Sequence, residues 1–213
     1  DAKVSFYDLN LSIAHQQNDK NSFYATAYTS NDQSNLGTDT TFQYANRNLS
    51  IRWKHIFNEK LYSNISAGRD EYLYDNFSEY QTETDYRLKF SINQTRFKTN
   101  FNYAPNNKLN IEFGTNSIYY SNKPGALTPF NQQSLVVPDI LPTEQGIENA
   151  VFAEQSYQLT PFIKLNTGLR YSFYTMLGPA TQAVYAEGLS KSDDNINDVV
   201  NYASGKAVKT YHG

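Results

Sequence analysis

"FIKLNTGLRYSFY", residues 162–174, is the stretch on which the fold turns. Ile163, Leu165, Leu169, Tyr171 and Phe173 fall on odd positions, and Lys164, Asn166, Gly168, Arg170 and Ser172 on even ones. A two-residue period is that of a β-strand with two unlike faces. Alternation alone does not say which face meets water. In a packed sandwich the apolar face turns inward, and in a membrane barrel it turns outward to lipid.

Working outward, eight strand-like segments follow the same period. The first spans about 3–15, with Tyr7, Leu9, Leu11 and Ile13 on one face, and the second about 22–30. The third alternates Leu49, Ile51 and Trp53 with Ser50, Arg52 and Lys54, and the fourth carries Leu61, Ile65 and Ala67. The fifth, about 84–103, slips in parity from Leu88, Phe90 and Ile92 to Phe97, Phe101 and Tyr103, which predicts a β-bulge or a change of environment midway. Leu109, Ile111 and Phe113 begin the sixth, "AVFAEQSYQ" (150–158) is the seventh, and the opening stretch is the eighth.

The connections alternate in length. "QQNDKN" (16–21), "FNEK" (57–60), "APNNK" (104–108) and "LTP" (159–161) are short, whereas 31–40, 73–83 and 121–146 are long, and the weakly patterned stretch after Leu177 reads as loop. Sandwiches have no reason to sort loop length by parity. Outer-membrane barrels do, with short periplasmic turns and long extracellular loops. The fold expected is therefore all-β, an antiparallel transmembrane β-barrel, with the odd positions of 163–173 facing lipid and Lys164 and Arg170 a wet lumen; a sandwich core would not solvate those cations.

Composition agrees. No apolar run approaches the ~20 residues of a membrane-spanning helix, and the mean hydropathy of -0.65 is compatible with strands that average two faces. Eighteen Lys and Arg against 21 Asp and Glu, without a basic cluster, exclude a phosphate-binding footprint, so no nucleic-acid partner is expected. With no cysteine, thiolate metal sites and disulfides are excluded. Eighteen Tyr and 13 Phe suit the aromatic girdles of a membrane barrel, and also carbohydrate-binding surfaces. The amino terminus shows no signal-peptide pattern, so either a leader has been removed or the chain is a piece of something longer.

Four stretches resemble the barrel portion of TonB-dependent outer-membrane receptors: "WKHIFNEKLYSNIS" (53–66), "FKTNFNYAPNNKLNIEFG" (97–114), "VFAEQSYQLTPFIKLNTGLRYSFY" (151–174) and "INDVVNYASGKAVKTYHG" (196–213). The resemblance implies that residues 1–213 are about eight strands of a single barrel domain of roughly 22 strands, with the plug domain and terminal strands absent. It implies residence in the outer membrane of a Gram-negative cell and uptake of a siderophore, glycan, peptide or similar nutrient. The implied partners are outer-membrane lipid, the TonB complex through the missing plug region, and a surface lipoprotein. Two other readings fit the same composition: a secreted glycan-binding or adhesive β-sandwich, and a complete small outer-membrane barrel.

No chemistry-bearing motif stands out. His15, His55 and His212 lack ligand spacing, and "SDDN" (192–195) lacks the oxygen pattern of a calcium loop, so no metal or cofactor is expected. No G-x-S-x-G, H-E-x-x-H or Walker glycine loop occurs, and the chain reads as non-enzymatic. The candidate ligand-binding residues are aromatics beside the long loops (Tyr72, Tyr74, Tyr80, Tyr119, Tyr120 and Phe130) and two cations on the polar face, Arg52 and Arg170. The plainer role of the rings, Tyr119 and Tyr120 above all, is an aromatic girdle and loop packing. For the cations it is pairing with carboxylates of the wall and plug.

Overall fold

In the computed structural model residues 2–80 and 82–213 are described; Asp1 and Gln81, the latter within the loop expected over 73–83, lie outside the described residues. The strands are β1 (Ala2–Asn18), β2 (Asn21–Leu36), β3 (Thr40–Asn58), β4 (Leu61–Ser78), β5 (Tyr86–Asn106), β6 (Leu109–Pro129), β7 (Asp139–Ile140), β8 (Glu144–Thr160), β9 (Ile163–Leu177), β10 (Ala180–Tyr185), β11 (Ile196–Tyr202) and β12 (Ala207–His212). The main sheet runs β1-β2-β3-β4-β5-β6-β8-β9-β12, antiparallel throughout, with β7 paired to β6; β10 and β11 form a separate hairpin. The sheet does not close, since β1 and β12 end its path.

Four tight turns lie at one end, and one device shapes each. Asn18 Oδ1 accepts the N–H groups of Lys20 and Asn21 at 3.0 and 2.9 Å, and Asn58 accepts that of Lys60 at 2.9 Å. Asn106 accepts those of Lys108 and Leu109, and Thr160 Oγ1 those of Phe162 and Ile163. Short polar side chains that bond two or three residues ahead fix a turn locally. The connections at the other end grow along the chain, through 37–39, 79–85, 130–143 and 178–206.

The alternation of short and long connections is observed from 79–85 onward, whereas the loop expected over 31–40 shrinks to the three residues 37–39, because the strands are longer than the sequence pattern showed. β2 takes in most of the loop expected at 31–40, β4 reaches into 73–83, and β6 and β7 occupy part of 121–146. The segment after Leu177, expected as loop from its weak patterning, supplies a hairpin and a ninth consecutive strand, β12, paired to β9; of the stretch 196–213 that resembles barrel segments, β12 joins the main sheet and β11 pairs only with β10. The parity slip in β5 is a change of environment. The β4–β5 register runs unbroken from Leu61↔Tyr103 to Phe77↔Arg87. The bulge on the β5–β6 ladder lies nearer the long loops, where Lys89↔Ala126 gives way to Ser91↔Lys123 and the extra residue is on β6.

Following the registers across the sheet sorts its side chains into two faces. One carries an apolar band: Tyr7, Leu9, Leu11 and Ile13 on β1, Leu49, Ile51, Trp53 and Phe57 on β3, Phe97, Phe101 and Tyr103 on β5, and Ile163 to Phe173 on β9. The other face, here the polar face, carries Arg52, Lys98, Asn100, Glu112, Glu154 and Arg170 at the same heights. Beyond the band, towards the long loops, the arrangement inverts. The banded face of β5 becomes Lys89, Ser91, Asn93 and Thr95, and its polar face Leu88, Phe90 and Ile92. Only Ala150 is a buried hydrophobic side chain among the described residues, so this is a single layer with no sandwich core.

The band also drifts. The ladder row through Asn10, the centre of the β1 run, meets Asn48 on β3 and Met176 on β9. The apolar runs there are centred on Trp53 and Gly168, five and eight residues nearer the tight turns. Eight residues over seven strand steps is about 3.8 Å along a strand for every ~4.8 Å across, a slope of roughly 40°. Barrel strands tilt by ~35–45°. A band that must stay level on tilted strands has to slide along them by this amount.

Candidate functional site

The polar face holds two aromatic clusters beyond the band. In the first, Tyr72 and Tyr74 of β4 meet Tyr44 of β3 and Phe90 of β5. The Tyr74 and Phe90 rings stack at 4.6 Å, Tyr44 lies 5.2 Å from Tyr74, and Tyr72 lies 6.1 Å from Phe90. Direct cross-strand pairing (Tyr44↔Tyr74↔Phe90) brings them together. Burial, with the neighbouring Tyr44 and Tyr74 phenols, pushes the Tyr72 hydroxyl above its ordinary range, so it stays a neutral donor at physiological pH. Tyr72 stands five residues beyond Ala67, the last apolar residue of the β4 band.

The second cluster joins Tyr120 to Arg170 through a residue that the sequence did not single out. Tyr120 donates its hydroxyl to Glu148 at 3.2 Å, and Arg170 stands 3.9 Å from the same carboxylate. Tyr174 lies 6.4 Å from both Tyr120 and Tyr211. Gly146 leaves space for this arrangement: a Cβ there would press on the Tyr174 hydroxyl and push the ring aside.

The remaining candidates lie elsewhere. Tyr119 is on the banded face, opposite Thr95 and Ile147, and so parts from its neighbour Tyr120. Phe130 stacks on Phe77 at 5.3 Å, and the Arg87 guanidinium stands over Phe77 at 5.7 Å. Arg87 also grips Asp75 through Nε at 3.0 Å to both carboxylate oxygens, and that hydrogen bond, with the Asp75 charge behind it, holds the guanidinium above its already high range. Tyr80, in the 79–85 loop, is exposed beside Lys3 and Thr41. Arg52 lies lower on the polar face, its guanidinium 4.3 Å from the Tyr24 ring centroid. The structure therefore gathers Tyr72 with Tyr74 and Tyr120 with Arg170. It sets Tyr80, Tyr119, Phe130 and Arg52 apart from both clusters.

Glu148, Tyr174, Tyr211, Tyr44 and Phe90 were not among the candidates because strand register, not spacing along the chain, assembles them. Only Glu148 and Tyr174 carry a sequence signal, an even parity shared with Gly146 in β8 and Arg170 in β9. Among the described residues no group of three or more His, Asp or Glu side chains is placed to hold a metal ion. Among the described residues no helix is long and apolar enough to cross a membrane, which says nothing of strands.

No family model matches the sequence, and comparison with curated proteins finds no match. Solved structures do match. The copper transporter OprC superposes with a TM-score of 0.66 at 9% identity, over 99% of this chain and 33% of that one. BauA, the ferric preacinetobactin receptor from Acinetobacter baumannii, superposes with a TM-score of 0.58 at 12% identity, over 82% of this chain and 34% of that one. The chain thus spans about a third of the length of these structures. The likeness is one of fold: an antiparallel sheet similar to the barrel domains of TonB-dependent receptors, open here and not closed into a barrel.

Proposed function

We propose that this chain is a section of the barrel wall of a TonB-dependent outer-membrane transporter that takes up a nutrient such as a siderophore, glycan or peptide, and that it binds its cargo without altering it chemically. The observation that carries this is the level apolar band on one face, sliding along the strands at the slope of a tilted barrel. A lipid-facing surface has to be arranged so, whereas a surface buried against another sheet has no need of it. The likeness to two transport-related structures supports the same reading. On this reading the polar face lines the lumen. The rings of Tyr72, Tyr74 and Tyr120, beyond the bilayer's apolar zone, give a cargo flat apolar contacts with hydroxyls at their edges. TonB, engaged through a plug, would supply the driving force, and a surface lipoprotein is a further partner on the long-loop side.

The test is uptake. Cells that lack the full-length protein are compared with cells expressing it, and depletion of small molecules from the medium is followed by mass spectrometry. One class of compound should be depleted only in the complemented cells, and depletion should stop when the proton gradient is collapsed. Tyr72→Ala combined with Tyr74→Ala should slow it at least about tenfold, as loss of two stacked contacts implies. Identical depletion profiles with and without the protein refute the proposal.

A further inference from the structure

Low on the polar face, between β3 and β5, lies a cavity of about 400 Å³ whose lining includes Arg52, Ser66, Gly68, Arg96, Lys98 and Asn116. Arg52, Ser66 and Lys98 occupy one ladder row, so two cations flank a hydroxyl. Two residues along β4, on the same face, Gly68 lies between Ser50 and Arg96 and puts no side chain into the cavity floor. Arg96 is neutralised by Asp70, 2.8 Å away, and Asp70 also accepts a hydrogen bond from Asn48. No carboxylate pairs with Arg52, Lys98 or the adjacent Lys54 among the described residues. Rings hold these three cations instead: Tyr24 for Arg52, Phe152 at 5.9 Å for Lys98 and Tyr62 at 5.1 Å for Lys54.

Like charges brought together around a gap repel one another, and cross-strand like pairs are destabilising unless something answers them. Thr26 and Ser50 are bonded to each other at 2.7 Å and add no negative charge. Glu112, the nearest acidic residue along β6, is engaged by Asn100. We propose that this cavity is a binding site for an oxyanion, a carboxylate or phosphate group, held by the Arg52 guanidinium and Lys98 ammonium with Ser66 and Asn116 as neutral donors. A planar guanidinium opposite a point-charge ammonium suits two or three oxygens on one centre. The oxyanion has two sources, a mobile ligand passing through the lumen or a carboxylate side chain from a part of the protein outside residues 1–213. The chemistry at the wall is the same for both.

The inference rests on the polar face being the lumenal one, so the experiment tests that first. In the full-length protein in neutral detergent, Asn166→Cys on the same face should react with water-soluble methanethiosulfonates; if it does not, the lumenal reading and this site both fall. In the Ser66→Cys variant an anionic methanethiosulfonate should react about tenfold faster than a cationic one. Arg52→Gln with Lys98→Gln should abolish that preference, and Lys209→Gln should leave it unchanged. Millimolar inorganic phosphate should slow the reaction if the ligand is mobile. If the source is a protein carboxylate, a zero-length carbodiimide should couple Lys98 to an Asp or Glu outside residues 1–213, in lower yield in Arg52→Gln. Either result supports the site. Reaction of the Ser66→Cys variant without charge preference, together with no coupling of Lys98, overturns it and leaves the transporter reading standing.

Discussion

Asp85 shows how far one carboxylate can organise the end of the molecule opposite the tight turns. It is 2% exposed, and it accepts hydrogen bonds from Ser78 Oγ at 3.4 Å and Asn131 Nδ2 at 3.1 Å. Its backbone carbonyl accepts from Phe130 N–H and Ser134 Oγ, and next to it Leu135 N–H donates to Glu83 at 2.8 Å. The 79–85 and 130–138 loops are thus stitched into one unit, and the proline-rich stretch that reads as free loop in the sequence is anchored. Asp85→Ala removes the acceptor and leaves the buried Ser78 hydroxyl and the half-buried Asn131 amide without it, at a cost of about 1–3 kcal/mol. Amide exchange at Phe130 and Leu135 should then accelerate by one to two orders of magnitude, with β3 to β6 below the band edge unchanged. Unaltered exchange at those two amides would show that the backbone bonds alone hold the loops.

Among the elements, β9 is the sharpest probe of which face meets lipid. Arginine on the lipid face costs ~2–4 kcal/mol near the midplane and far less on the lumenal face. Leu165→Arg should impair assembly of the full-length protein strongly and Asn166→Arg little, read by heat-modifiable mobility on gels. Nitroxides at positions 51, 165 and 169 should be quenched by lipid-soluble reagents and those at 52 and 170 by aqueous ones, and the reverse pattern would invert the barrel. The same contrast explains what the sequence made legible. Where one face is apolar and the other polar, as from Ile163 to Phe173, the alternation is broken only at Thr167 and the strand can be read. Beyond the band the dry face changes sides, so the far half of β5 looks like a fault in register although its pairing with β4 is continuous. β12 offers Thr210 and His212 to the banded face and had no apolar signal to find. The site was legible only as residue types. Tyr72, Tyr74 and Tyr120 could be named, but Glu148, which links Tyr120 to Arg170, is fixed by pairing partners in other strands.

At the scale of the whole molecule, β1 and β12 each have one neighbour among the described residues, so two strand edges carry unpaired backbone groups. Lipid cannot satisfy such groups, at several kcal/mol each. The 213-residue segment expressed alone should therefore aggregate in detergent, and a compact, heat-modifiable monomer would instead favour a complete small barrel. The slope of the apolar band bears on cargo as well. Strands inclined at roughly 40° and ~4.8 Å apart each take up about 6 Å of girth. In a barrel of roughly 22 strands that girth gives a bore some 40 Å wide between backbones. Arg52 on β3 and Arg170 on β9 are five strand steps apart, so about 30 Å of curved wall separates them. No single small molecule spans that gap. On the proposed transporter reading, a cargo held near Tyr120, Glu148 and Arg170 would leave the Arg52 cavity vacant for a second occupant, and the passage would work as successive stations around a wide shaft, each with its own chemistry.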